Sequence, residues 1–195
     1  MIDRPVFGLI LAGGKSRRMG QDKALLDRNG QSQLAYVVDL LGSCVDEVFV
    51  STRDDQKDDG ERARYEKIVD HYENIGPVAG ILSALNEHPS VDWLIVACDL
   101  PNIDRPTIET LLAQRGGPQP FTAYRSSHDG HPEPLCAVYH FGCTEIVQRF
   151  VDEGINCPRK ILIRSATTLI DQPDPTSLNN INTPDDLQSS VLRAT

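Results

Sequence analysis

The stretch VFGLILAGGKSRRMGQDKALL, Val6–Leu26, changes character at its middle. From Val6 to Ala12 it is a continuous apolar run with β-branched members, which reads as a strand buried on both faces. Gly13 and Gly14 follow, and then Lys15, Arg17, Arg18 and Lys23 crowd a short segment. A glycine turn frees backbone N–H groups that can wrap phosphate oxygens, and nearby Lys and Arg neutralise the charge. The positive charge is local: the 195-residue chain carries 28 acidic against 19 basic residues, a net charge of -9. That balance argues against nucleic acid and anionic membranes as partners, because long-range repulsion opposes both. It leaves room for a small basic pocket.

The length suits one domain with a sizeable core. Five scattered cysteines (Cys44, Cys98, Cys136, Cys143, Cys157) form no C-x-x-C pair and read as reduced, mostly buried thiols of a cytoplasmic protein. The first residues, with Asp3 and a short apolar run ending in glycines, do not read as a signal peptide. No stretch approaches the roughly 20 apolar residues of a membrane span.

Beyond the first strand, Lys23 to Leu26 reads as a short extended piece and Asp27-Arg28-Asn29-Gly30 as a turn. Leu34, Val37, Val38 and Leu41 share a helical face. Strands are expected at Val48–Ser51, Lys67–Asp70 and Trp93–Cys98, with a charged, solvated loop and helix face over Asp54–Lys67. Gly76-Pro77 opens a helix, and further helices are expected around Ile108–Leu112 and Ile146–Val151, with strands at Thr122–Tyr124 and Leu135–Tyr139. Thr183-Pro184-Asp185-Asp186 reads as a capped helix start. Alternating strands and helices predict an α/β fold, a doubly wound, mostly parallel sheet flanked by helices. Ligands then sit beyond the carboxyl ends of the strands, where Gly13, Gly14, Ser51, Asp70 and Asp99 all fall.

Two common phosphate loops do not fit. Gly14-Lys15-Ser16 matches the end of a Walker A loop, but Leu9 stands where its first glycine belongs, and no G-x-G-x-x-G is present. LAGGKSRRMGQDKALL instead resembles the L-A-[GA]-G-x-S-x-R-M-G-x-x-K loop of the molybdenum cofactor guanylyltransferases. The resemblance continues in order through GPVAGILSAL (Gly76–Leu85), CDLPNI (Cys98–Ile103), EPLCAVY (Glu133–Tyr139) and NNINTPDDL (Asn179–Leu187), and so spans nearly the whole chain.

That resemblance implies a Rossmann-like nucleotidyltransferase fold in a single domain, 1–195, with a nucleotide-binding part of about 1–100 and an acceptor-binding part of about 101–195. It implies transfer of GMP from GTP to the terminal phosphate of molybdopterin, with release of pyrophosphate and dependence on Mg²⁺. Leu11, Ala12, Gly13, Gly14, Lys15, Lys23, Ser51, Asp70 and Asp99 would contact the nucleotide. Asn180 and Asn182 would face the acceptor, and Asp99 and Asn182 would hold the metal. Ser51 departs from the Asn that the family often carries there. Lys23, Arg18 and Asp99 would carry the catalysis: an ionised phosphate nucleophile needs no general base, and what remains is charge neutralisation and support of the leaving pyrophosphate. The chain would act as a cytoplasmic monomer, with transient contacts to other cofactor-biosynthesis proteins or acceptor enzymes.

Blander readings stand beside these. Asp99 could cap the next helix, Asp70 could form a turn, and Asn180 and Asn182 could be turn residues. His128 and His131 in SSHDGHP have metal-ligand spacing but no nearby Cys partners, a weak zinc signal. The functional rivals are a CTP-dependent cytidylyltransferase, acting on molybdopterin or a sugar-alcohol phosphate, and a nucleotide-sensing module without turnover. Gly13 favours guanine in this comparison, because the missing Cβ admits a closer approach to the backbone.

Overall fold

The first strand, β1 (Val6–Leu11), forms over the apolar run that predicts it. The structure, a computed structural model, describes residues 4–14, 22–181, 186–187 and 190–193. A small hairpin follows, β2 (Asp27–Arg28) and β3 (Gln31–Ser32), turning on Asn29 and Gly30, both at positive φ, as a two-residue type I′ turn requires. Next come α1 (Gln33–Gly42), β4 (Glu47–Thr52), β5 (Lys67–Val69), α2 (Val78–Glu87) and β6 (Asp92–Ala97). The remainder comprises α3 (Arg105–Ala113), β7 (Phe121–Arg125), β8 (Pro132–Tyr139), α4 (Thr144–Asp152), α5 (Pro158–Arg164) and β9 (Thr167–Ile170).

Seven of these strands form one sheet in the order β5-β4-β1-β6-β8-β7-β9. β1 pairs in parallel with β4 and β6, and β4 with β5, while β8 runs antiparallel between β6 and β7. The expected doubly wound sheet is therefore present, mostly parallel with one reversed strand. Alternate side chains serve two cores, as the period of two dictates. Val6, Ile10, Leu94 and Val96 pack with Leu34, Val37 and Leu41 of α1 and Ile108 and Leu111 of α3. Leu9, Trp93 and Ile95 pack with Ile81, Leu82 and Leu85 of α2, Val147 and Phe150 of α4, and Ile161 of α5. Among the described residues no helix is long and apolar enough to cross a membrane. All five cysteines are free thiols: Cys98, Cys136 and Cys143 are buried, Cys44 half-buried and Cys157 exposed.

Two expectations need correction. Lys23–Leu25 is a 3-10 turn rather than an extended piece, because the Asp22 carboxylate accepts from Ala24 N and closes it. The segment Asp54–Lys67 holds two short 3-10 turns and is not wholly solvated, since Arg62 is 0% exposed. The strand β9 and helix α5 lack an expectation: β9 is half-buried along its length, and α5 has only seven residues. The helix start at 183–185 lies outside the described residues.

Leu94 sits fully buried in β6 between the sheet and the α1–α3 layer. Leu94→Ala should cost about 2–5 kcal/mol through lost burial and the cavity left behind. Thermal and urea unfolding should show a fall in Tm on the order of 10 °C.

Candidate active site

Because β5, β4, β1 and β6 run in one direction, their carboxyl ends meet on one rim. A cavity of about 820 Å³ opens there, lined by Leu11 at the end of β1, by Ala12, Gly13 and Gly14 after it, by Lys23, by Ser51 of β4, and by Asp70 and Asp99 after β5 and β6. Apart from Lys15, these are the residues expected from the sequence to face a nucleotide, brought together from five separate stretches of the chain. Lys15, Arg17 and Arg18 lie outside the described residues, as does Asn182.

The Lys23 ammonium stands 3.1 Å from Asp99 Oδ2. The other carboxylate oxygen, Asp99 Oδ1, is buried and has no hydrogen-bond partner among the described residues. Ser51, 2% exposed, donates its hydroxyl to Asp70 Oδ1 at 2.8 Å. Burial raises the Asp70 pKa above the usual carboxylate range, against the opposing pull of that hydrogen bond and of the charges on Arg53 and His71. The departure at Ser51 thus has a local use, as backing for the Asp70 carboxylate. Gly80 of α2 makes the fit possible: a Cβ there would come within 2.1 Å of Ser51 Oγ and 3.0 Å of Asp70 Oδ1. A Cβ at Gly13 would meet Arg53 at 3.5 Å and Asp70 Oδ2 at 3.6 Å, ordinary contacts at the cavity wall.

A smaller cavity of about 210 Å³ adjoins the first, lined by Asp99, Glu133, Leu135, Cys157, Arg159 and Asn180, among others. Ala97, Asp99 and Leu135 belong to both walls. Asn180 is the acceptor candidate placed here. The Arg159 guanidinium lies between Asp129 at 2.8 Å and Glu133 at 2.9 Å. His128 Nε2 lies 3.1 Å from Asn179 Oδ1, and no cluster of three metal-ligating side chains occurs among the described residues.

Sequence reasoning overlooks two arginines. Arg53, at the end of β4, donates to the Gly13 carbonyl and pairs with Asp55 through two bonds of 2.8 and 3.1 Å. Arg62 donates to the Ala12 carbonyl from Nε at 3.2 Å and Nη2 at 2.7 Å. Its Nη2 also meets Asp22 at 2.7 Å and its Nη1 meets Asp59 at 2.5 Å. Burial opposes its charge, but the two carboxylates outweigh that and raise its pKa further. Nothing local marks Arg62, because it sits in a run of charges that reads as a solvent-facing segment. Gly80 and Glu133 lie inside quoted motifs, yet their positions on the cavity walls emerge only from the fold.

The raised pKa of Asp70 has a testable sign. A carboxylate whose folded pKa exceeds its unfolded value favours folding below the unfolded value, near 3.8, and loses that advantage as pH rises through the folded value. Asp70→Asn should therefore raise Tm by a few degrees at pH 7. The gain over the native chain should shrink as pH falls through the raised pKa and vanish below about pH 4. Paired melting curves across pH check this.

The family of MobA-like NTP transferase domains matches residues 8–168. The chain is 40% identical over 182 residues to the molybdenum cofactor biosynthesis bifunctional protein of Synechocystis sp., covering 93% of this chain and 52% of that protein. It therefore spans about half of that relative's length. It is 32% identical to a Nostoc sp. protein named "Probable molybdenum cofactor guanylyltransferase", covering 92% of this chain and 87% of the other. The crystal structure of molybdopterin-guanine dinucleotide biosynthesis protein A from Archaeoglobus fulgidus shares the fold, with a TM-score of 0.78 at 24% identity, covering 94% of this chain and 95% of that one. With the match extending from the glycine strand to β9, the chain belongs to the MobA-like NTP transferase family and is a nucleotidyltransferase.

Proposed function

We propose that the chain transfers GMP from GTP to the terminal phosphate of molybdopterin and releases pyrophosphate. One observation carries this reading: Asp99 stands in the wall common to the large cavity behind the glycine pair and the small cavity lined by Asn180. An α-phosphate in the first and an acceptor phosphate in the second would meet beside it. The first wall is drawn from residues 11–99 plus Leu135 and the second from 97–180, which supports a division into a nucleotide part, about 1–100, and an acceptor part, about 101–195.

The acceptor phosphate is ionised near neutral pH, so no side chain must take its proton. The protein must instead orient two polyanions and offset their charge. In this reading Leu11, Ala12, Gly13 and Gly14 hold the nucleotide, with Lys15, Arg18 and Lys23 on its phosphates and Ser51 acting through Asp70. Asn180 and Asn182 hold the acceptor.

The described wall of the large cavity is acidic: Asp22, Asp54, Asp55, Asp70, Glu73 and Asp99 stand against Lys23 and Arg53. A triphosphate is better accommodated there with its own divalent cation. Asp99, with one buried oxygen lacking a partner, suits a hard cation that keeps only one or two protein carboxylates and takes its other ligands from phosphate. Mg²⁺ held by Asp99 and Asn182 would supply charge neutralisation and polarise the α-phosphate. The chain would work as a monomer in the cytoplasm, in transient contact with other cofactor-biosynthesis proteins or the enzymes that receive the product.

The direct test incubates the chain with molybdopterin and GTP, CTP or ATP in Mg²⁺ and reads product masses and pyrophosphate. GTP should exceed the others at least tenfold in kcat/KM, about 1.4 kcal/mol of discrimination. A better rate with CTP would make the chain a cytidylyltransferase, and binding without pyrophosphate would make it a sensor.

Two substitutions test the roles. Asp99→Ala should abolish turnover at saturating Mg²⁺ while circular dichroism stays native. Lys23→Ala should lower kcat/KM on the order of a hundredfold, because a poorly solvated charge-assisted contact to the reacting phosphates contributes about 2–4 kcal/mol. Added salt should not restore it, since screening acts mainly on exposed charges.

A further inference from the structure

Arg62 lines neither cavity, yet its guanidinium is bonded at both ends of the loop that opens the larger one. Ala12 precedes the glycine pair and Asp22 closes the segment that follows it. We propose that Arg62 is a positioning residue for the nucleotide: it clamps the two ends of the loop 12–22 and so aims the Gly13 N–H and the Lys23 ammonium at the phosphates. The proposal rests on the reading of this cavity as a nucleotide site.

The clamp acts through two rigid links. The carbonyl of Ala12 and the N–H of Gly13 belong to one planar peptide, so holding the oxygen on Arg62 fixes the direction of the N–H. At the other end the Asp22 carboxylate divides its oxygens. Oδ2 accepts from Arg62 at 2.7 Å, and Oδ1 accepts from Ala24 N at 3.1 Å, shaping the 3-10 turn that carries Lys23 to Asp99. Arg62 thus reaches the ammonium of Lys23 through one side chain and one turn.

Only a planar fork of donors can serve Ala12, Asp22 and Asp59 at once; a lysine offers a single nitrogen on a flexible stem. Among the described residues Asp59 bonds to neither Ala12 nor Asp22. It holds Arg62 from within its own segment, accepting from Arg62 N at 2.9 Å as well as from Nη1. The next residue but one, Glu61, accepts from Ser32 Oγ at 2.7 Å, and Ser32 caps α1. The connection from β4 to β5 is thereby braced against the start of α1 and can hold Ala12 and Asp22 in place.

The two carboxylates of Arg62 separate a positioning role from a merely structural one. Asp22→Asn and Asp59→Asn each keep the Oδ1 that accepts from a backbone N–H and turn an amide toward Arg62, so both weaken the buried pairing to a similar degree. Of the two, only Asp22→Asn alters a residue that Arg62 bonds beside the cavity and that shapes the turn carrying Lys23. The experiment titrates fluorescent GTP, CTP and ATP analogues in Mg²⁺ against the native chain, Arg62→Lys, Asp22→Asn and Asp59→Asn, using the analogue the native chain binds most tightly, and follows Tm in parallel.

Arg62→Lys and Asp22→Asn should each weaken binding at least tenfold, Asp59→Asn less than threefold, and the two loop variants combined should fall short of the product of their separate effects. The KM for the acceptor should stay within twofold throughout. A loss in Asp59→Asn equal to that in Asp22→Asn, or native binding by Arg62→Lys and Asp22→Asn, overturns the clamp. Should Arg62→Lys fail to fold, the two Asn variants decide alone. A native preference for CTP overturns the guanine assignment and leaves the clamp standing, whereas equal binding by native chain and variants overturns the clamp and leaves the assignment standing.

Discussion

Everything at the rim depends on β1 being hydrogen-bonded in parallel on both sides, to β4 and to β6. A strand so placed has no free edge, and its side chains alternate into two dry cores. The chain is then committed to leave the sheet where its neighbours also leave it. Ala12, Thr52, Val69 and Ala97 end or follow strands that point one way, so the next residue from each is delivered to one place without any further interaction. Reversing β8 breaks this rule on one side. It brings Glu133 and Leu135 back to the same rim from the second half of the chain, beside α5 and Asn180.

Electrostatics then differentiates the rim. The chain is acidic overall, and the described wall of the large cavity is acidic as well, so basic residues have to be fixed rather than merely numerous. Arg53 and Arg62 are fixed by carboxylates and by backbone carbonyls of the glycine strand. A buried arginine of this sort contributes little net stability, since desolvation offsets most of the attraction. Its carboxylate and carbonyl partners explain its placement better than the stability of the fold does.

The legible parts of this fold were those written in local pattern. The unbroken apolar run at Val6–Ala12 and the helical spacing of Val78, Ile81, Leu82 and Leu85 report burial directly, and burial sets these elements. The Asn29-Gly30 turn was legible because only certain residues tolerate positive φ. The candidate nucleotide residues were legible because the glycine pair and the strand-end acids recur as motifs in order along the chain. Arg62 was not, because two of its partners lie 40 and 50 residues away, and the third, Asp59, is one of many acids in a charged run that reads as solvated. The extended reading of Lys23–Leu26 failed because one Asp22 carboxylate outweighed the pattern. Likewise β9 escaped because a strand half-buried at every position has no alternation to read.

The shared wall at Asp99 bears on how such a molecule can change over generations. The wall of the larger cavity is drawn almost wholly from residues before 100, and that of the smaller mostly from residues after it, with Ala97, Asp99 and Leu135 in common. Substitutions at Glu133, Cys157, Arg159 or Leu178 alter the second pocket without entering the first. Under the proposed function, a lineage built on this sheet could thus exchange what receives the transferred group while inheriting the apparatus that activates it. Ala97, Asp99 and Leu135 are the positions at which a change would reshape both cavities at once.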